Sequence, residues 1–194
     1  MAIDDIQSKL ENLFHEMIFD VLKLDQRGVP LQHVEDTPRR IAKMLYTELL
    51  AGCFTEAPKV TVFNNSDHEH SVVVVRDLSV KSLCSHHFMP FYGKCTIAYV
   101  PDEKVAGLSK FARIVSYFSA KPQIQEELTK QIVNYLASVI DPLAIGARME
   151  CVHTCMSHRG AKSNGSMVTE YIKLKSLKDT NLTQAIKSEL MTNV

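Results

Sequence analysis

The sequence carries no net charge, no long apolar run and, at its start, none of the pattern expected of a secretory leader, and each absence argues against a class of function. Lys+Arg 22 balance Asp+Glu 22 over 194 residues, so there is no basic field of the kind that draws a protein to nucleic acid, and an anionic ligand has to be met by a local cluster. No stretch approaches the roughly 18 apolar residues of a membrane span. The start, Met-Ala-Ile-Asp-Asp, is acidic and lacks an apolar run, which predicts a cytoplasmic protein. An even cysteine count is lacking too. Five cysteines cannot all pair, and in a reducing compartment thiols stay free or bind metal. There is no internal repeat or low-complexity tract. At 45% hydrophobic and 23% charged residues, the chain can bury one ordinary core with terminal elaborations.

The apolar periodicity divides the chain. Ile6, Leu10, Leu13, Phe14, Met17, Ile18 and Val21 follow helical spacing, and a second helix opens with Thr37 as cap and Pro38 in its first turn. From Pro58 the pattern turns β-branched, predicting strands at Val60–Phe63, Ser71–Leu83 and Gly93–Val100. His68-Glu69-His70, between the first two, reads as a solvated loop. Two helices follow, separated by Lys121-Pro122 and closed by Asp141-Pro142. A strand over Ala147–Cys155 is then expected to pair with Met167–Leu174 through a turn at Asn164-Gly165, before a short amphipathic helix carrying Leu182, Ile186 and Leu190. That order predicts an α+β domain with antiparallel pairing. The expected division is an N-terminal helical region, residues 1–57, and a catalytic domain, residues 58–194.

The chemistry concentrates in Cys84-Ser85-His86-His87 and His153-Thr154-Cys155. Thiolate and imidazole suit a borderline-soft divalent ion, and three protein ligands leave a position open for water where four close the site. The candidates are Cys84, His87 and Cys155, with Cys151 as the alternative fourth. On one strand, at roughly 3.3 Å per residue, Cys151 lies about 13 Å from Cys155 and His153 about 7 Å from it. Cys151 is then too far to share the ion, and His153 and His86 are left beside it as spare imidazoles. The competing readings are a closed structural site that recruits Cys151, or unligated buried thiols with core histidines.

Gly107-Leu108-Ser109-Lys110 opens a helix on which Lys110 and Arg113 share a face, and Arg159 follows the His153-Cys155 segment. Cations beside a helix N-terminus make an anion site. Glu126, just inside the next helix, either complements the helix dipole or accepts the paired N–H donors of a guanine edge.

Cys84-x-His86-His87, Gly107-Leu-Ser109-Lys110-x-x-Arg113, Pro122-Gln123-Ile-Gln125-Glu126, His153-x-Cys155 through Arg159-Gly160, and Thr37-Pro38-Arg39-Arg40-Ile-Ala-Lys-Met resemble GTP cyclohydrolase I in order and spacing, over roughly residues 5–190. The resemblance implies the tunnelling fold, with two helices packed on an antiparallel sheet, an N-terminal helical extension, and sheets joined between subunits into an oligomeric barrel, two stacked rings forming a homodecamer. It implies Zn2+ on Cys84, His87 and Cys155. GTP would lie with its guanine on Glu126 and the backbone around Gln125, and with its triphosphate on Lys110, Arg113, Arg159 and a neighbouring subunit's Arg40. The implied reaction opens the imidazole ring at C8, releases formate and forms 7,8-dihydroneopterin triphosphate, the entry to pterin and tetrahydrofolate biosynthesis and so to one-carbon metabolism. His153 fits the acid at N7, His86 a proton shuttle, and Ser109 the later sugar rearrangement. Ser85 stands where the family often has glutamate, and His158 adds an imidazole before Arg159. A zinc nucleoside deaminase would need the paired H-x-E and P-C-x-x-C signature, and no P-C-x-x-C is present here. A tunnelling-fold relative with other pterin or deazapurine chemistry, or a non-catalytic GTP- or pterin-binding homologue, is the alternative.

Overall fold

Alternation of large apolar residues with a period of two builds the centre of the molecule. In the computed structural model, which describes residues 3–176 and 180–192, the chain forms two compact units, Met1–Phe54 and Thr55–Val194. The extreme ends of the two regions expected from the sequence, residues 1–2 and 193–194, lie outside the described residues.

The first unit is helical. Helix α1 (Ile3–His15) runs on into a π-helical stretch, Glu16–Val21, and packs against α3 (Thr37–Met44). Between them lie a 3-10 turn at Leu24–Gln26 and the short α2 (Leu31–Val34); a second π-helical stretch, Leu45–Leu49, leads to α4 (Ala51–Phe54). Ile18 and Ala42 are its buried apolar residues. The cap of α3 is Asp36, one residue before the Thr37 expected in that role, and Pro38 occupies the first turn. Asp36 spends its carboxylate on Arg39 and Arg40 (3.4 and 3.2 Å), which return to it from the next turn.

The second unit is mixed α and β. Five strands, β2 (Val73–Cys84), β3 (Pro90–Val100), β5 (Pro122–Gln123), β6 (Ala144–His153) and β7 (Ser166–Leu174), form one sheet in the order β5-β2-β3-β6-β7. All pairs are antiparallel except the short β2–β5 pair. The strand predicted at Val60–Phe63 is β1 (Val62–Asn64), and it pairs with β4 (Lys104–Ala106) in a separate ribbon rather than joining the main sheet. Odd-numbered Phe91, Cys95, Ile97 and Tyr99 of β3, and Ile145, Ala147, Met149 and Cys151 of β6, share a core with Phe111, Ile114, Ile132 and Leu136. Those four belong to α5 (Leu108–Ser119) and α6 (Gln125–Ile140). Even-numbered Ala98, Val100 and Ala144 form a smaller cluster with Ile186 and Leu190 of α8 (Thr180–Met191). The sheet is thus covered on both faces, which is what its alternation encodes.

Two expectations are corrected in the β6–β7 connection. The strand ends at His153, and Cys155 sits in a helical turn, α7 (Thr154–Ser157). The link to β7 is then a longer loop with left-handed Gly160 and Lys162, not a tight Asn164-Gly165 turn. Thr154 decides the break: its hydroxyl donates to the Pro90 carbonyl (2.6 Å), and its own carbonyl accepts from the His158 N–H (2.9 Å), so the chain is drawn out of the ladder.

Gly93 of β3 lies opposite Cys151 of β6 with no room for a side chain. A Cβ there would lie 1.9 Å from the Glu150 carbonyl oxygen and 2.7 Å from the Cys151 Cα. At Gly146 the nearest atoms are side-chain ends of Ile186, Ile172 and Leu190. Equilibrium urea unfolding at fixed protein concentration will therefore show Gly93→Ala destabilised by roughly 1–3 kcal/mol or more, and Gly146→Ala by less. A wild-type midpoint for Gly93→Ala would contradict the backbone contact.

Candidate metal centre and its surroundings

Because β2 and β6 run parallel to each other on either side of β3, their C-terminal residues finish at the same end of the sheet. Cys84 closes β2 and enters a tight turn. Its N–H donates to the Met89 carbonyl (2.9 Å), and its own carbonyl accepts from the N–H groups of Phe88 (2.8 Å) and His87 (3.3 Å), with Phe88 left-handed at φ 53. The turn swings His87 back over Cys84. From the other side, the Thr154–Pro90 bond holds α7 against the start of β3. As a result one ligand atom each from Cys84, His87 and Cys155 all lie within 4.8 Å of one another, a group that could hold a metal ion.

Two sulfurs and one imidazole nitrogen suit a borderline-soft ion such as Zn2+. The exposure of the three is graded, with Cys84 buried, Cys155 intermediate and His87 exposed. The cluster is therefore open on one side, as a site with a replaceable fourth ligand must be. Burial and then the adjacent Cys84 thiol push the Cys155 thiol above its ordinary pKa, with Arg159 opposing them. The Cys155 thiol therefore resists ionising alone, and a divalent cation bound there would relieve it.

Cys151 is not in that group. It is 1% exposed and lies in the sheet core near Cys95. Burial, reinforced by Glu150, pushes its thiol up to about 12, and burial does the same to Cys95. His86 sits beside the cluster without joining it, its Nδ1 3.9 Å from the Cys84 sulfur and its ring edge-on to His87.

His153, the last residue of β6, lies flat on Phe91 with ring centroids 4.6 Å apart and planes 8° apart. Its Nε2 is 2.9 Å from the Gln125 side-chain oxygen. Burial lowers its pKa, and the charge of Glu126 pulls in the other direction, so Glu126 is near enough to be felt. Gln125 and Glu126 open α6 at this end of the sheet because β5 pairs with the end of β2, Cys84 opposite Gln123. Gln125 is wholly buried and Glu126 exposed.

The cations are distributed. Lys110 and Ser109 lie in the first turn of α5, capped by Gly107, and Arg113 lies one turn on, lining a cavity of about 500 Å³ with Thr55, Glu56, Pro58 and Tyr117. Arg159 follows α7 and acts electrostatically on Cys155. Arg40 belongs to the helical unit, where it pairs with Asp36. Ser85 donates its N–H to the Gln123 carbonyl (3.2 Å), and the Nδ1 of exposed His158 is 2.9 Å from the Ser157 hydroxyl. Residue spacing does not single out the Gln125 side chain or Thr154, which help to build this end of the sheet, since neither bears a charge or a metal donor.

A family model described as GTP cyclohydrolase I matches residues 14–192. "GTP cyclohydrolase 1" of Sulfurihydrogenibium sp. (strain YO3AOP1) is 42% identical over 139 residues, covering 69% of this chain and 70% of that protein. "GTP cyclohydrolase 1" of Erwinia tasmaniensis is 38% identical over 167 residues, 86% of this chain and 74% of that protein. Among solved structures, archaeosine synthase QueF-Like in the apo form superposes with a TM-score of 0.41 at 16% identity, over 52% of this chain and 92% of that one, too distant to bear on the fold.

The geometry separates the thiols in a way metal analysis can read. Purified protein equilibrated with Zn2+ is expected to retain one ion per chain. Cys84→Ala and Cys155→Ala will lose it, and Cys151→Ala will keep it. Loss of the ion in Cys151→Ala with the fold intact would mean a four-ligand site.

Proposed function

The chain belongs to the GTP cyclohydrolase I family, and from that premise we propose that it catalyses GTP + H2O → formate + 7,8-dihydroneopterin triphosphate. Water adds at C8 of the purine, the imidazole ring opens, C8 leaves as formate, and the ribose carbons rearrange before the new ring closes. The observation that carries the reading is the convergence of the Cys84, His87 and Cys155 donors with His153 at one end of the sheet.

Cys84, His87 and Cys155 would hold Zn2+, which when bound supplies Lewis-acid activation of water near neutral pH. Attack at C8 also needs a proton on N7, and His153 is assigned to hold it. Burial weakens the ring's grip on its proton, which makes the imidazolium a stronger acid, and the Glu126 charge opposes that shift. His86 is assigned to proton traffic around the hydrated C8. The Glu126 carboxylate would accept from both N1–H and the 2-amino group of guanine, next to the free backbone N–H groups at the start of α6. Lys110, Arg113 and Arg159 would meet the triphosphate together with Arg40 of a neighbouring subunit, and Ser109 would act near the ribose.

The assembly proposed with this reading is a tunnelling-fold ring, two of which stack as a homodecamer. It is supported by the open edge of β7, which pairs with β6 alone among the described strands. Residues 1–57 would form the helical extension and residues 58–194 the catalytic domain. Among the described residues no helix is long and apolar enough to cross a membrane. The thiol ligands suit a reducing cytoplasm.

Reaction with GTP labelled at C8, following formate and pterin separately, tests the proposal directly. Wild-type protein will yield both. Glu126→Gln will keep its zinc and lose guanine-nucleotide binding, because an amide cannot accept through both atoms. His153→Ala will keep zinc and bind GTP yet release formate at least about 10²-fold more slowly. Wild-type formate release by zinc-replete His153→Ala would overturn the assignment of the acid.

A further inference from the structure

The side chain of Gln125 has no surface to offer a substrate. It is 0% exposed, and every polar atom of its amide is engaged inside the protein. Nε2 lies 3.1 Å from the Met149 carbonyl oxygen, 3.0 Å from that of Met167 and 3.1 Å from the Thr169 hydroxyl. Two of these three partners are backbone carbonyls, which only accept, so the amide atom facing them has to be the nitrogen. Its two protons serve three acceptors, one of them shared. The amide orientation is thus dictated by β6 and β7, independently of His153.

The hydroxyls give the same direction. Thr129 Oγ1 donates to the Gln125 backbone carbonyl (2.8 Å) and lies 2.7 Å from Thr169 Oγ1. With the one Thr129 proton committed, Thr169 donates to Thr129 and accepts from Gln125. The hydrogen bonds thus run from the Gln125 side-chain N–H to Thr169, from Thr169 to Thr129, and from Thr129 to the Gln125 backbone carbonyl, which only accepts.

With the nitrogen fixed, Oε1 points at His153, and a carbonyl oxygen can only accept. The His153 Nε2 at 2.9 Å must therefore carry a hydrogen. Phe91, parallel to the ring at 4.6 Å, holds its plane. Turning the ring over would put a C–H where the Nε2–H now donates and leave a buried amide oxygen unpaired.

We infer that Gln125 is a positioning residue, which fixes neutral His153 as the Nε2–H tautomer and leaves Nδ1 as the ring nitrogen that exchanges protons with the reacting base. The identity of that base rests on the function proposed above; the tautomer rests on the hydrogen bonds alone. Nε2 keeps its hydrogen throughout, and the proton delivered to the purine is the one carried by Nδ1 in the imidazolium. A histidine free to hold its single proton on either nitrogen would spend part of its time with the wrong atom bare.

The test reads the tautomer directly. Protein containing 15N-histidine, without nucleotide, is examined by NMR at about pH 8, where an imidazole is neutral, and the His153 resonances are identified by their loss in His153→Asn. The expected spectrum has a protonated Nε2 and a bare Nδ1. A protonated Nδ1, or a mixture of both forms, overturns the proposal, and this arm needs no variant at Gln125. In Gln125→Met, similar in length but without an acceptor, the single tautomer should be lost and kcat for formate release should fall roughly 10²-fold, with KM for GTP and zinc content little changed. A Gln125→Met protein that keeps the pure Nε2–H form and wild-type kcat would also overturn it. Should the wild-type protein show the Nε2–H form yet release no formate from GTP, the tautomer assignment stands and the proposed reaction fails.

Discussion

The pairing of β3 with β2 on one side and β6 on the other is the constraint from which the site follows. Leu83 opposite Pro90 and His153 opposite Phe91 bring two segments far apart in sequence to one end of one sheet. The contact at Gly93, where the backbones of β3 and β6 nearly touch, leaves no room for the register to slip without a clash. The parallel Cys84–Gln123 pair then adds the start of α6 to the same end. Strand register brings the two candidate donor segments, His153 and Glu126 to one end of the sheet, and the turns after Cys84 and His153 then bring His87 and Cys155 together.

Within that frame, one residue type is put to two uses. Cys95 and Cys151 stand on strands in the sheet core, where burial keeps them protonated and inert. Cys84 is the last residue of β2 and Cys155 stands two residues past the end of β6, where the backbone turns. His153 and His86 differ in the same manner. His153 is the last ladder residue, held by an aromatic ring and a buried amide, while His86 is on the exposed turn. A group that must present one atom reliably is held by packing on a regular element.

Much of this was legible in the residues. The odd-even alternation around Ala147, Met149 and Cys151 is the core face of β6, and it removes Cys151 from the metal group as the spacing predicted. The same reasoning carried the strand too far, to Cys155. The side-chain hydroxyl of Thr154 competes for the backbone there, and that competition depends on a carbonyl, Pro90, that is distant in sequence. Asp36 displaced Thr37 as the cap of α3 because two adjacent residues both suited the position. The strand expected at Val60–Phe63 is present as β1, whereas its three-residue partner β4 carries too little alternation to be read from the residues. Gln125 shows what a pattern cannot convey. Its neighbour Glu126 announces itself by charge, whereas the role of a buried neutral amide exists only once β6 and β7 have placed Met149, Met167 and Thr169 around it.

The candidate metal site is open on one side and built at the ends of two strands. X-ray absorption at the zinc edge of the zinc-loaded wild-type protein tests this most directly, because it counts sulfur against lighter ligands. The structure predicts two sulfurs at about 2.3 Å and one imidazole nitrogen at about 2.0–2.1 Å, with a fourth light ligand that exchanges with solvent. A shell of three sulfurs, or a closed set of four protein ligands, would contradict it.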